Sequence, residues 1–287
     1  MRISSISSPT VLQRLPDGAR EDAAPATDDG IAQETLPAAA HSSGRGGLDW
    51  SGIGLEAQLQ KSALASLRVP PFQALPRVFA DLKVLKFPTA GLQKPKPAMV
   101  SRLSGWLKSA RTAAESGSEQ GRTAVNKVLE TTVKAYGIGQ DGVTGLEFDP
   151  TLSLQGGTIG SSPRSFIVIG KSALDSPEEL ASTILHESSH VYRNNELAAG
   201  GIDRDKLSVS AEEIYSALIE IEGYQLEIDN AKTLGTSASY VKGAENLKDH
   251  YLHELEVFAG KDWRALAEKG QFQQLHEKFR QDQLKKK

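Results

Sequence analysis

The chain has 287 residues, 39% of them hydrophobic and 24% charged, which suits one compact domain with extensions or two small domains. Its formal net charge of −3 offers no basic surplus for phosphates, so nucleic acid is excluded as an expected partner and an anionic membrane surface has no electrostatic support. It contains no cysteine, which excludes disulfides, thiolate metal ligands and cysteine nucleophiles; any metal must sit on His, Asp or Glu.

Residues 1–48 hold no Phe, Trp or Tyr and are rich in Ser, Ala, Gly, Asp and Pro, a composition that buries too little apolar area to offset ordering. We read them as a disordered leader. The opening Met-Arg-Ile-Ser-Ser-Ile-Ser-Ser-Pro-Thr is Ser-rich and poor in acids, and so resembles the leaders of bacterial type III secreted effectors. No window supplies a membrane span or the apolar core of a Sec signal. The expected protein is therefore soluble and secreted by a type III-like route.

Residues 49–140 form a second region, rich in proline and then helical. Pro70, Pro71, Pro76, Pro88, Pro95 and Pro97 limit its first part to short pieces. Met99, Val100, Leu103, Trp106 and Leu107 then recur at helical spacing, as do Val125, Val128, Leu129, Val133 and Tyr136 before Gly137. These spacings predict an antiparallel helical pair.

Residues 141–287 form the third region. Leu146 and Phe148, Leu152 and Leu154, and Phe166-Ile167-Val168-Ile169 read as short strands. Ser176-Pro177-Glu178-Glu179 carries the cap, proline and acid of a helix start, and predicts a helix to about Asn194. Ser210-Ala211-Glu212-Glu213 predicts a second start and a helix to about Leu234, with Ile214, Ala217, Leu218, Ile221 and Ile228 facing inward. Two further helices are expected from Tyr240 to the charged end. The fold class is α+β, mostly helical, with a small sheet.

The run His186-Glu187-Ser188-Ser189-His190 falls inside the first of these helices. Two histidines four apart emerge on one face a turn apart and can grip one ion. Glu187 is rotated by about 100° from His186, where its carboxylate reaches a water at the metal as general base. Zinc with three protein ligands and an open position lowers the pKa of a water to about 7, which suits hydrolysis of a carbonyl.

This helical His-Glu-x-x-His resembles the shared motif of the zincin clan of zinc metallopeptidases, over about Leu146 to Leu234. The resemblance implies a zincin-like domain with the motif on its active-site helix, Zn2+ as cofactor, His186 and His190 as metal ligands and Glu187 as the catalytic residue. It also implies a sheet edge before the helix that pairs with an extended substrate; Phe166 to Ile169 is the expected edge, with a buried core strand as the alternative. Arg193 stands where the metzincin pattern needs Gly, so the gluzincin type fits better, with its third ligand a Glu on the next helix. Glu212-Glu213-Ile214-Tyr215-Ser216 resembles the Glu-Glu-x-x-Thr/Ser run of clostridial-neurotoxin light chains and related effector proteases, which favours Glu213. Glu220 is the alternative, because Gly223 three positions on lets helices approach closely. Glu213 shares a face with Glu220 and would also cap Ser210, whereas Glu212 and Glu222 point more toward solvent.

Tyr224, Tyr240, His250, His253 and Arg193 are eligible to stabilise an oxyanion, and Asp229, Glu220 or backbone carbonyls to hold the imidazole tautomers. The expected function is a zinc-dependent metalloendopeptidase, acting as a secreted effector on a host protein in the host cytosol. The alternatives are a helical interaction protein in which the motif is inert, and a metal hydrolase of a non-protein amide.

Overall fold

A computed structural model describes residues 85–115, 118–160 and 165–286. The expected leader at 1–48, and the proline-rich stretch up to residue 84, lie outside the described residues. What is described is α+β and mostly helical, with one three-stranded sheet.

Helices α1 (Pro97–Glu115) and α2 (Glu119–Tyr136) form the predicted pair. On α1, Leu103, Leu107, Ala110 and Ala114 are buried at steps of four, three and four, and on α2 Val125, Val128 and Leu129 meet them. Each fully buried leucine contributes about 2 kcal/mol. The Ser118 hydroxyl caps α2 by accepting from the Gly121 N–H at 3.0 Å. Gly121 itself lets the helices close, since a Cβ there would fall 2.3 Å from the Ala113 carbonyl oxygen.

Strands β1 (Val143–Phe148), β2 (Gly156–Ile159) and β3 (Ser165–Ile169) follow, in the spatial order β1-β3-β2. β3 pairs in parallel with β1, Phe148 opposite Ile169, and antiparallel with β2, Thr158 opposite Ile167. The expectation that Phe166 to Ile169 forms a sheet edge is therefore corrected. β3 is the central strand, and its apolar run suits burial on both faces, with Ile167 and Ile169 fully buried. The second strand lies at 156–159, beyond the Leu152 and Leu154 expected for it.

Helix α3 (Pro177–Ala199) starts as predicted, with the Ser176 hydroxyl accepting from the Glu179 N–H at 3.1 Å, and runs a turn longer than expected. Helix α4 (Val209–Leu234) starts two residues earlier than expected, because Ser208 rather than Ser210 is its cap and accepts from the Ala211 N–H. Helices α5 (Ala238–Ala259), α6 (Lys261–Glu268) and α7 (Phe272–Leu284) complete the chain. Three helices stand where two were expected, since Gly260, at φ 93°, breaks the run.

One apolar cluster joins the helical pair and the sheet to Leu180, Ile184, Leu185 and Val191 of α3; a second joins Leu197 of α3 to α4, α5, α6 and α7. Helix α3 thus runs between two cores and is buried nearly all round, although its sequence is polar. Its buried Ser182, His186, Glu187, His190, Arg193 and Asn194 must find partners, because an unsatisfied buried polar group costs about 1–3 kcal/mol. Those partners come mainly from α4 and β2.

Candidate metal centre

Helices α3 and α4 run antiparallel, with His186 against Gly223, His190 against the Ile219 carbonyl and Asn194 against Tyr215. A Cβ at Gly223 would fall 2.7 Å from Cε1 and Nε2 of His186, so the bare backbone lets the imidazole lie flat on α4. The expectation of close approach at this glycine matches the packing.

Ligand atoms of His186, Glu187 and His190 all lie within 4.8 Å of one another, and all three residues are buried. From α4, Glu220 faces both imidazoles: its Oε2 is 3.3 Å from His186 Nε2 and its Oε1 is 3.8 Å from His190 Nε2. Two imidazoles and two carboxylates therefore meet in a space 1 to 4% exposed. Of these, His186, Glu187 and His190 form a group that could hold a metal ion.

The preference for Glu213 is corrected. Glu213 is exposed, and seven residues of helix separate it from Glu220 by about 10 Å along α4. Its level faces the end of α3 beyond Asn194, well past His190. Glu222, expected toward solvent, is buried, because α7 packs over it. Glu212 accepts from Arg204 and Ser216 and ties down the start of α4.

Each imidazole has an outer partner. His186 Nδ1 donates to Glu227 Oε1 at 2.6 Å, and Ser182 Oγ donates to the other Glu227 oxygen at 3.2 Å. This tautomer leaves His186 Nε2 turned toward Glu220, as a ligand requires. Asp229, expected for this role, is exposed and accepts from Gln225 instead. His190 has the Ile219 carbonyl 3.2 Å from Nε2 and Glu187 Oε2 3.5 Å from Nδ1. A carbonyl oxygen only accepts, so His190 Nε2 donates to Ile219, and a metal at Nε2 would take the place of that proton.

Burial alone would lower the pKa of His186, but the carboxylates of Glu220 and Glu227 outweigh it and hold the imidazole well above its ordinary value. The local field thus favours a cation beside Nε2, which is what a divalent metal would supply. Imidazole and carboxylate donors of this kind suit a divalent transition metal.

Glu187 turns toward the sheet. Thr158 Oγ1 donates to its Oε2 at 2.8 Å, and Gly156 lies flush against its side chain. Of the residues eligible to meet an oxyanion, Arg193 is engaged by Glu222, Glu196 and Gln273, His250 pairs with Glu254 at 3.2 Å, and His253 is exposed. Tyr224 packs edge-on against His186, ring centroids 4.6 Å apart, and burial with Glu220 nearby holds its phenol well above the ordinary range, so it keeps its O–H. The Tyr240 phenol is raised likewise, by burial and by Glu227.

Sequence reasoning missed Glu227, Thr158 and Ser182. The first was detectable, since it stands seven residues past Glu220 on the same face, and Ser182 stands four before His186. Thr158 carried no local signal. No protein family, curated protein or solved structure matches the chain.

Proposed function

We propose that the protein is a zinc-dependent metalloendopeptidase of gluzincin type, with His186, His190 and Glu220 as metal ligands and Glu187 as general base. The observation that carries the reading is the Glu220 carboxylate, one oxygen toward each histidine Nε2, with a second carboxylate beside them that is held by the sheet.

When bound, zinc supplies Lewis acidity, which acidifies a water and polarises a carbonyl. Glu187 takes the proton of the attacking water and passes it to the leaving amine as the C–N bond breaks. Glu227 and Ser182 hold His186 in the tautomer that presents Nε2. Tyr224, which packs against His186 and keeps its proton, is the donor we assign to the oxyanion.

Among the described residues the sheet ends at β2, the strand that touches Glu187. An extended peptide added on the side of β2 away from β3 would run its backbone near the general base, with affinity from main-chain hydrogen bonds. This arrangement supports a protein or peptide as the substrate. The composition of residues 1–48 supports delivery as a secreted effector whose substrate is a host protein.

New protein N-termini, mapped in cells expressing the wild type or Glu187→Ala, test the reading. The wild type should produce a small set that Glu187→Ala does not, while both proteins retain metal. Identical N-termini from the two would sink the peptidase reading.

A further inference from the structure

We propose that Thr158 is a positioning residue that keeps the Glu187 carboxylate out of the metal's ligand set and so reserves it as a base. The proposal rests on the reading of His186, His190 and Glu220 as the ligands.

Glu187 has two possible employments. A carboxylate oxygen within 4.8 Å of ligand atoms on both histidines is near enough to become a ligand itself. As a ligand it would take the position that hydrolysis needs open. Nothing on α3 decides between these outcomes, since the Glu187 side chain has rotatable bonds enough for either.

Strand β2 decides it. The Thr158 hydroxyl donates to Glu187 Oε2 at 2.8 Å and lies 3.2 Å from the Glu187 carbonyl oxygen. It has one proton to give, and the charged acceptor at the shorter distance takes it. Thr158 is 5% exposed, so water does not compete for the bond. The donor is also stiff: a β-branched side chain has few rotamers, and its backbone is locked in the ladder opposite Ile167.

Gly156, two residues earlier and on the same face of β2, completes the cradle. A Cβ there would fall 3.0 Å from Glu187 Cγ, 3.1 Å from its Oε1 and 2.8 Å from Thr183 Cγ2. The absent side chain is the space in which the carboxylate lies against the strand. A purely structural role for Thr158 would need only its volume, which valine reproduces; the hydroxyl is what this proposal requires.

The test uses the full chain loaded with Co2+ alone, whose visible absorption reports the number and geometry of ligands. Thr158→Val should give weaker bands than wild type, as a site with one more ligand does, and should hold Co2+ more tightly against a chelator. Thr158→Ser should give the wild-type bands. In Thr158→Val combined with Glu187→Ala, the change should vanish. Bands of Thr158→Val that superimpose on wild type, or a change that persists in the double variant, overturn the proposal. Thr158→Ala serves as the hydroxyl-free variant if the valine protein loses its helical circular dichroism. A wild-type chain that takes up no Co2+ would instead remove the metal reading beneath it, an outcome distinct from the others.

Discussion

Glu227 Oε1 lies 2.6 Å from His186 Nδ1, and Ser182 reaches the same carboxylate from one turn earlier on α3. The bond joins the His186 imidazole to the helix that carries Glu220, so the orientation of the histidine and the placement of the Glu220 carboxylate depend on one helix pair.

Partners of this kind typically change metal affinity by about 10–100-fold when removed. Glu227→Leu should therefore weaken zinc binding by about that range, and Ser182→Ala by less, in competition with a chromophoric chelator. Unchanged affinity in Glu227→Leu would mean that the bond has no part in holding the imidazole.

Gly223→Ala separates helix propensity from site geometry. The added methyl favours a helix interior by about 1 kcal/mol, but it meets the His186 ring at 2.7 Å, so the imidazole must move. Zinc affinity should fall by about tenfold or more. The α-helical circular dichroism should stay that of wild type. Wild-type affinity in this variant would contradict the close packing of His186 on α4.

Arg193, three residues past His190, grips Glu222 with two bonds of 2.7 and 2.6 Å, and His276 on α7 adds a third at 3.0 Å. Burial raises the Glu222 pKa, but the bonds from His276 and Arg193 outweigh it and hold the carboxyl at about 2, below its ordinary 4.5. A carboxyl depressed by folding stabilises the protein above its unfolded pKa, and that contribution is lost as pH falls from about 4.5 toward about 2. Arg193→Ala should cost up to about 3 kcal/mol near neutral pH, because it leaves Glu222 buried with His276 as its remaining charged partner. It should also flatten the loss of stability in that acid window. Denaturant unfolding across a pH series, in the presence of chelator, reads both effects. An unaltered acid profile in Arg193→Ala would contradict the assignment.

The legible part of this protein was what one segment specifies alone. The helical pair, the Ser176 cap and the two histidines on one face of α3 follow from spacing, which a chain of known helical pitch converts directly into geometry. What depends on a second segment is not encoded in local spacing. Glu213 and Glu220 have the same phase on α4, and only the level of α3 opposite them separates an exposed carboxylate from a buried one. Similarly, the apolar run at Phe166 to Ile169 suits either a sheet edge or a centre, and β2, short and glycine-rich, showed no pattern that would reserve the edge for it. Thr158 is the extreme case: a single hydroxyl on that strand meets Glu187 across 29 residues of sequence.

The central claim is that His186, His190 and Glu220 together hold one divalent metal. Its most direct test is the zinc content of purified protein after dialysis against metal-free buffer, for wild type, Glu220→Gln and Glu213→Gln. The account requires about one zinc per chain in wild type and Glu213→Gln, and a large loss in Glu220→Gln. Zinc retained by Glu220→Gln and lost by Glu213→Gln would contradict it.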